Sequence, residues 1–251
     1  MEENVTVIIQ GPISELSLRS LREYSKEYRV VFSTWIESSY LIDEAKEIAE
    51  KNENIKLVLS ESPDISNKIG ILKDTTFYYA VAGMDIALKH VDTDFVIRTR
   101  SDEHFEDFQT IVSLALGSPK NKEKFICGNI FVRKFNDVQY HIGDHVYIAK
   151  TEYLKKAFCN LRKMYDGEKQ LAPWAEQGPS AAESILGHAF LHAKNIDSEN
   201  WPDIQCFIDN FHVFNLSVLG DYVVRWGHMN RIWFSDFINH HNVENMKDAI
   251  Y

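Results

Sequence analysis

Apolar and polar positions along this chain switch between two periods. Val5-Thr6-Val7-Ile8-Ile9, Arg29-Val30-Val31-Phe32-Ser33 and Ile55-Lys56-Leu57-Val58-Leu59 are short runs rich in β-branched residues. They stop at Gln10-Gly11-Pro12, at Thr34-Trp35 and at Ser60-Glu61-Ser62-Pro63-Asp64, and each reads as a buried strand. Between them, Ser17 to Tyr28 carries Leu18, Leu21 and Tyr24 at helical spacing, and Ile42 to Asn52 is a charged amphipathic helix. Strand–helix units in succession predict a mostly parallel sheet.

After a polar loop holding Asn67, Lys68 and Lys73, the spacing of Phe77, Ala80, Val81, Met84 and Leu88 predicts a long apolar helix over Thr76 to His90. It delivers the chain to a fourth strand, Phe95-Val96-Ile97-Arg98-Thr99-Arg100. A helix over Phe105 to Leu116 follows, then strand segments around Phe125-Ile126-Cys127 and Ile130-Phe131-Val132, and another strand at His145 to Ala149. Helices are expected from Thr151 to Met164 and from Pro179 to His192, with a turn-rich loop between them. Val213 to Val224 offers one or two late strands, and Phe234 to Met246 reads as a terminal helix. The expected fold is α/β: a single domain over residues 1–251 with a mostly parallel central sheet flanked by helices.

The formal net charge of -10 argues against a nucleic-acid binder, which needs a basic face to neutralise phosphates. No apolar run approaches the roughly 20 residues that span a bilayer, and no basic segment followed by an apolar one precedes the first strand, so the expected compartment is the cytoplasm. Cys127, Cys159 and Cys206 are odd in number and in no zinc-binding spacing, and they are expected as reduced thiols.

The chemistry concentrates where the fourth strand ends, in Arg98-Thr99-Arg100-Ser101-Asp102-Glu103. Open α/β sheets place ligands at the carboxyl ends of their strands, and adjacent carboxylates there suit a hard cation such as Mg²⁺ or Mn²⁺ that in turn holds a phosphate. The plainer alternative is that Asp102 caps the next helix and Glu103 complements its dipole. Arg98 and Arg100 share side-chain parity, so both face one side of the sheet and need an anionic partner: Asp94, Asp102 or a phosphate. A salt bridge to Asp102 is expected for at least one of them.

In order and spacing, Val7-Ile8-Ile9-Gln10-Gly11-Pro12, Phe32-Ser33-Thr34-Trp35 and Arg98-Thr99-Arg100-Ser101-Asp102 resemble the nucleotide-sugar glycosyltransferases of the GT-A fold, and within them the WavE-like lipopolysaccharide-synthesis enzymes. The resemblance covers roughly residues 5 to 105 and departs from the usual Asp-x-Asp motif at Ser101-Asp102-Glu103. It implies transfer of a sugar from a nucleotide-sugar donor to a hydroxyl of a surface-glycan precursor, with a Rossmann-like donor half in residues 1–105 and an acceptor half with a C-terminal flap in 106–251. Through the acceptor it also implies peripheral association with the inner membrane.

On that resemblance Gln10, Gly11 and Pro12 floor the nucleotide, and Thr34 and Trp35 line the same crevice, Trp35 either stacking on the base or filling core. Lys68, Lys73, Arg98 and Arg100 meet the phosphates. Asp102 contacts Mn²⁺ or Mg²⁺, Glu103 ligates through water or not at all, and His228 is the best late candidate for a third metal ligand or a phosphate contact, with Arg225 and Arg231 closing the flap. Asp144, His145, Glu176 and Glu183 are the candidates to take the acceptor proton. Glu183 ranks first because Ser180, Ala181 and Ala182 leave room before it, and Asp144 is read as an acceptor contact. Competing readings are a sugar nucleotidyltransferase, a nucleotide- or sugar-binding protein without transfer activity, and a scaffold whose aromatics near Trp201, Trp226 and Trp233 form an interaction patch.

Overall fold

The computed structural model describes residues 4–38, 40–65, 75–129, 132, 135, 138–175, 181–199 and 203–224. Lys68, Lys73, Glu176, Trp201, Arg225, Trp226, His228, Arg231, Trp233 and the expected terminal helix lie outside these residues. The strands are β1 (Val5–Gln10), β2 (Arg29–Trp35), β3 (Ile55–Ser60), β4 (Phe95–Arg100), β5 (Glu103–Phe105), β6 (Phe125–Gly128), β7 (Tyr147–Lys150), β8 (Phe211–Phe214) and β9 (Tyr222–Val224). The helices are α1 (Glu15–Tyr24), α2 (Ile42–Glu50), α3 (Thr75–Leu88), α4 (Gln109–Leu116), α5 (Pro119–Lys122), α6 (Thr151–Tyr165), α7 (Ala181–Ala193) and α8 (Ile204–Asn210).

Seven strands form one sheet in the order β3-β2-β1-β4-β7-β6-β8. β1 pairs in parallel with β2 and β4, β2 with β3, and β6 with β8, whereas β7 runs antiparallel between β4 and β6. This is the α/β domain with a mostly parallel, helix-flanked sheet that the periodicity predicts. Alternation along β1 divides its side chains between two cores. Val5, Val7 and Ile9 join Leu18 and Leu21 of α1, Ala45 of α2, and Ile111 and Val112 of α4. Ile8 joins Val31, Val58 and the inner faces of α3, α6 and α7 on the other side.

The strand order reverses beside β1. The chain steps outward through β2 and β3, then crosses back by α3 to place β4 against the free side of β1. Such a switch point leaves a crevice at the strands' carboxyl ends. Gly11 and Ser101 face each other there: the Ser101 amide donates to the Gln10 carbonyl at 2.9 Å and the Gly11 amide to Ser33 O at 3.2 Å. Gly11 has φ +133°, and a Cβ on it would lie 2.3 Å from Ser101 Oγ, so only glycine lets the two strand ends approach this closely.

The helix expected from Phe105 begins four residues later, at Gln109. Phe105 instead ends β5, which pairs antiparallel with β9 in a separate two-stranded sheet. Contacts with α1 hold it there. The Phe105 amide donates to Tyr24 Oη at 2.8 Å, His104 stacks on Tyr24, and His104 Nδ1 lies 2.9 Å from Ser20 Oγ. The late apolar segment supplies two strands, β8 and β9, preceded by α8, which the irregular aromatic pattern there did not announce. Of the second apolar run after Cys127 only Val132 lies among the described residues, and it is buried. The three cysteines are free, with Cys127 buried. Among the described residues no helix is long and apolar enough to cross a membrane.

Candidate functional site

A cavity of about 540 Å³ opens at the carboxyl ends of β1, β2 and β4. Its floor is Gln10, Gly11, Pro12 and Ser101, one wall is Ser33, Trp35 and Tyr79, and the opposite wall carries Asp144, His145 and Glu183, with Arg98, Arg100 and Asp102 between them. The volume is in the range of small-molecule sites, and its surface mixes an aromatic wall with a few convergent polar groups.

Strand parity explains which side chains arrive. Ile8 pairs with Arg98 and Gln10 with Arg100, so these four share the face covered by α3. Val31, Ser33 and Trp35 of β2 face the same way, as the membership of Val31 in that core requires. Thr34 therefore points to the other face, where it is buried, and does not line the crevice with Trp35 as expected. Adjacent strand residues cannot share a face. Trp35 meets Tyr79 of α3 edge-on, with ring centroids 5.9 Å apart.

Gln10 is fixed from above and below. Its Nε2 donates to Ala80 O at 2.7 Å, and a Cβ on Gly83 would lie 2.7 Å from that nitrogen, so the glycine is what seats the amide beneath α3. Its Oε1 accepts from Arg98 Nη2 at 3.2 Å and Nε at 3.4 Å. Arg98 Nη1 donates to the His145 carbonyl at 3.4 Å, and the guanidinium lies over the Tyr147 ring at 5.9 Å. Arg98 is 5% exposed, and among the described residues none of its hydrogen-bond or ion-pair partners is a carboxylate.

Arg100 makes the expected internal pair. Its Nε and Nη2 donate to the two Asp102 oxygens at 2.9 and 3.0 Å, a bidentate fork. Burial works against the Arg100 charge, but Asp102, Glu103 and Asp144 outweigh it and raise its pKa. Glu103, expected beside Asp102 as a metal ligand, turns out of the cavity. As the first residue of β5 it is fully buried, and its Oε1 bonds His145 Nδ1 and lies 3.7 Å from Arg100 Nε.

His145 Nε2 faces Asp144 Oδ1 at 3.7 Å. Burial would lower the His145 pKa, but the Glu103 carboxylate, both by its charge and by its bond, and then Asp144, raise it above its ordinary 6.5. Burial pushes the Asp144 carboxyl up, yet His145, Arg98, Arg100 and His141 together hold it below its ordinary value. Asp144 is thus anchored as an anion and is a weak base. Glu183, in the first turn of α7, has His141 Nε2 3.6 Å from its Oε2 and keeps 22% of its side chain exposed to the cavity.

The donor set does not fit a divalent cation as expected. Among the described residues no group of three or more His, Cys, Asp or Glu side chains is gathered around one point. Each Asp102 oxygen already accepts from Arg100, Glu103 bonds His145 away from the cavity, and His228 lies outside the described residues.

No family model matches the sequence, and no curated protein matches it. Solved structures are similar at low identity. The mannosyltransferase PcManGT from Pyrobaculum calidifontis, in complex with GDP-Man and Mn²⁺, is 18% identical over 61% of this chain with a TM-score of 0.40. HddC from Yersinia pseudotuberculosis is 13% identical over 61% of this chain and 79% of its own, with a TM-score of 0.37. The 4-diphosphocytidyl-2C-methyl-D-erythritol synthase from Anaerococcus prevotii is 12% identical over 96% of this chain and 98% of its own, with a TM-score of 0.46. This chain spans 46% of the mannosyltransferase. At such identities and scores no substrate or activity passes from these proteins to this one.

Of the residues singled out from sequence, Gln10, Gly11, Pro12, Trp35, Arg98, Arg100, Asp102, Asp144 and Glu183 lie together on the cavity, as does the alternative base His145. Lys68 and His228 are outside the described residues. Tyr79 and Gly83 carry no site role in the sequence, and Ser33 figures there only within the Phe32-Ser33-Thr34-Trp35 motif. Ser33 shares parity with Trp35, and Tyr79 and Gly83 are one helical turn apart on α3, signals that become readable once the sheet order is known.

Proposed function

We propose that this protein is a glycosyltransferase that takes a sugar from a nucleotide-sugar donor and passes it to a hydroxyl of a surface-glycan precursor. The observation that carries this reading is the convergence, in one cavity at the β1/β4 switch point, of an aromatic wall, a buried guanidinium and two carboxylates on the far side. Each part answers one need of the reaction. Trp35 and Tyr79 offer π-faces or edges to a nucleobase, and Arg98 supplies donors for phosphate oxygens. Transfer breaks the bond between the anomeric carbon and the phosphate oxygen and forms one to the acceptor oxygen. The phosphate leaves with the bonding electron pair, and the acceptor proton passes to a carboxylate. Glu183 is the better base because it reaches the cavity partly exposed, while Asp144, held ionised, suits the hydroxyls of the bound sugar or acceptor. Residues 1–105 then form the donor half and 106–251 the acceptor half, and the protein works in the cytoplasm at the membrane face where its acceptor is presented.

A sugar nucleotidyltransferase is disfavoured by Gln10-Gly11-Pro12-Ile13, which has neither the basic nor the multi-glycine character of a triphosphate-cradling loop. The test is nucleotide release from a panel of UDP-, GDP-, CDP- and CMP-sugars, with and without simple glycoside acceptors. Release from one donor that accelerates with acceptor and disappears in Glu183→Gln is the expected result. A panel with no release, joined to no binding of any nucleotide, would overturn the reading.

A further inference from the structure

Charge pairing around the cavity is lopsided in an informative way. Every carboxylate of the wall already lies beside a basic side chain: Asp102 on Arg100 at 2.9 Å, Asp144 at 3.7 Å from His145 and Glu183 at 3.6 Å from His141, while Glu103, buried behind the wall, bonds His145. Arg98 is the exception. It is a cation 5% exposed, on the cavity, whose direct partners among the described residues are an amide oxygen, a backbone carbonyl and an aromatic ring; the Asp144 carboxylate, whose pKa it helps to lower, acts on it only from beyond ion-pair distance. A buried charge whose direct partners are all neutral is costly unless an opposite charge comes into contact with it. A divalent cation draws on several oxygen ligands gathered around one point, and here it would compete with guanidinium and imidazole groups already seated on the carboxylates. The wall is therefore arranged to receive an anion, and a cation site is absent from it among the described residues.

We infer that this cavity binds a phosphate or diphosphate group directly on Arg98, seconded by Arg100, with no divalent cation between ligand and protein. As a statement about the donor's leaving group it rests on the glycosyltransferase reading. The pairing also assigns Asp102 a role opposite to that of a metal ligand: it is the resident counter-ion of Arg100, and an incoming phosphate competes with it for the same fork.

The experiment is isothermal titration of UDP, GDP, CDP and inorganic pyrophosphate into the purified chain, each in EDTA, Mg²⁺ and Mn²⁺. It is repeated with Arg98→Gln, Arg100→Gln and Asp102→Asn. The expected result is that at least one ligand binds in EDTA as well as in either metal, within ~3-fold. Arg98→Gln then weakens it at least ~10-fold, the scale of one lost charge-assisted hydrogen bond, and Asp102→Asn tightens it. The metal comparison on the unmodified chain needs no variant, so misfolding of Arg98→Gln leaves the test intact. Binding that requires Mg²⁺ or Mn²⁺ and is lost in Asp102→Asn would overturn the inference while leaving the donor reading standing. Metal-free binding of pyrophosphate with no binding of any nucleotide would do the reverse. Absence of binding by every ligand in every condition would end both.

Discussion

Glu103 and His145 form a buried carboxylate–imidazole pair, so the protein's stability depends on pH in a window that can be named. The His145 pKa is raised in the folded chain above its ordinary 6.5, because Glu103 and Asp144 outweigh the effect of burial. A histidine of raised pKa contributes stability that is fully present below the unfolded value and is lost as pH rises through the folded value. Between the two values the loss approaches ~1.4 kcal/mol per pH unit, which for a chain of this length corresponds to ~3–6 °C in Tm per unit. His104, His188 and His212 are shifted the other way by burial, His188 to about 4. Their contributions are complete above 6.5 and fall only as pH drops below it, so they leave the alkaline side clear. The perturbation is Glu103→Gln, which keeps an oxygen to accept from His145 Nδ1 and removes the charge. Thermal unfolding followed by circular dichroism in steps from about pH 6.5 to about pH 8.5 should show a falling Tm for the wild type and a much flatter one for the variant. A wild-type Tm that is flat or rises across this window, or a variant with the same slope, would refute the reasoning.

Three further outcomes are expected. Trp35→Ala should weaken the nucleotide that binds the cavity by ~2- to 12-fold in titration calorimetry, the range of one aromatic contact, if Trp35 and Tyr79 form its base platform. Gly11→Ala should destabilise the fold by ~1–3 kcal/mol in urea, from the φ of +133° and the encounter with Ser101 Oγ, and adding Ser101→Ala should restore only the steric part. Phe125→Ala should cost ~3–5 kcal/mol by the same assay, because its fully buried ring packs against Tyr147, Phe190 and Phe211.

The sheet was legible because its strands are short apolar runs that end at turn formers, and because buried parallel strands cannot hide their composition. Gln10, Gly11 and Pro12 came with it, since the residues after β1 and β4 are at the switch point wherever the connections are strand–helix–strand. Asp144 and Glu183 were recognisable only as chemistry of the right type. Their meeting with Arg98 depends on β7 inserting antiparallel beside β4 and on α7 folding back over it, contacts between residues far apart in sequence.

Glu103 is the instructive miss, because it failed at a single peptide. Reading Asp102 and Glu103 as neighbours on one site assumes that both side chains serve the same space. The turn at Ser101-Asp102 ends β4, and Glu103 opens a strand whose partner, β9, lies more than a hundred residues further on. Nothing local in Ser101-Asp102-Glu103-His104 marks that change of sheet. Once it is made, the carboxylate is taken out of water, and a buried carboxylate must find a cation. His145 bonds it directly, with Arg100 Nε 3.7 Å away, and the pairing ties β5 to the segment just before β7. The same pairing favours the protonated form of His145 beside Asp144, so the acidic motif acts on the cavity through an imidazole, and the phosphate chemistry falls to the arginines of β4.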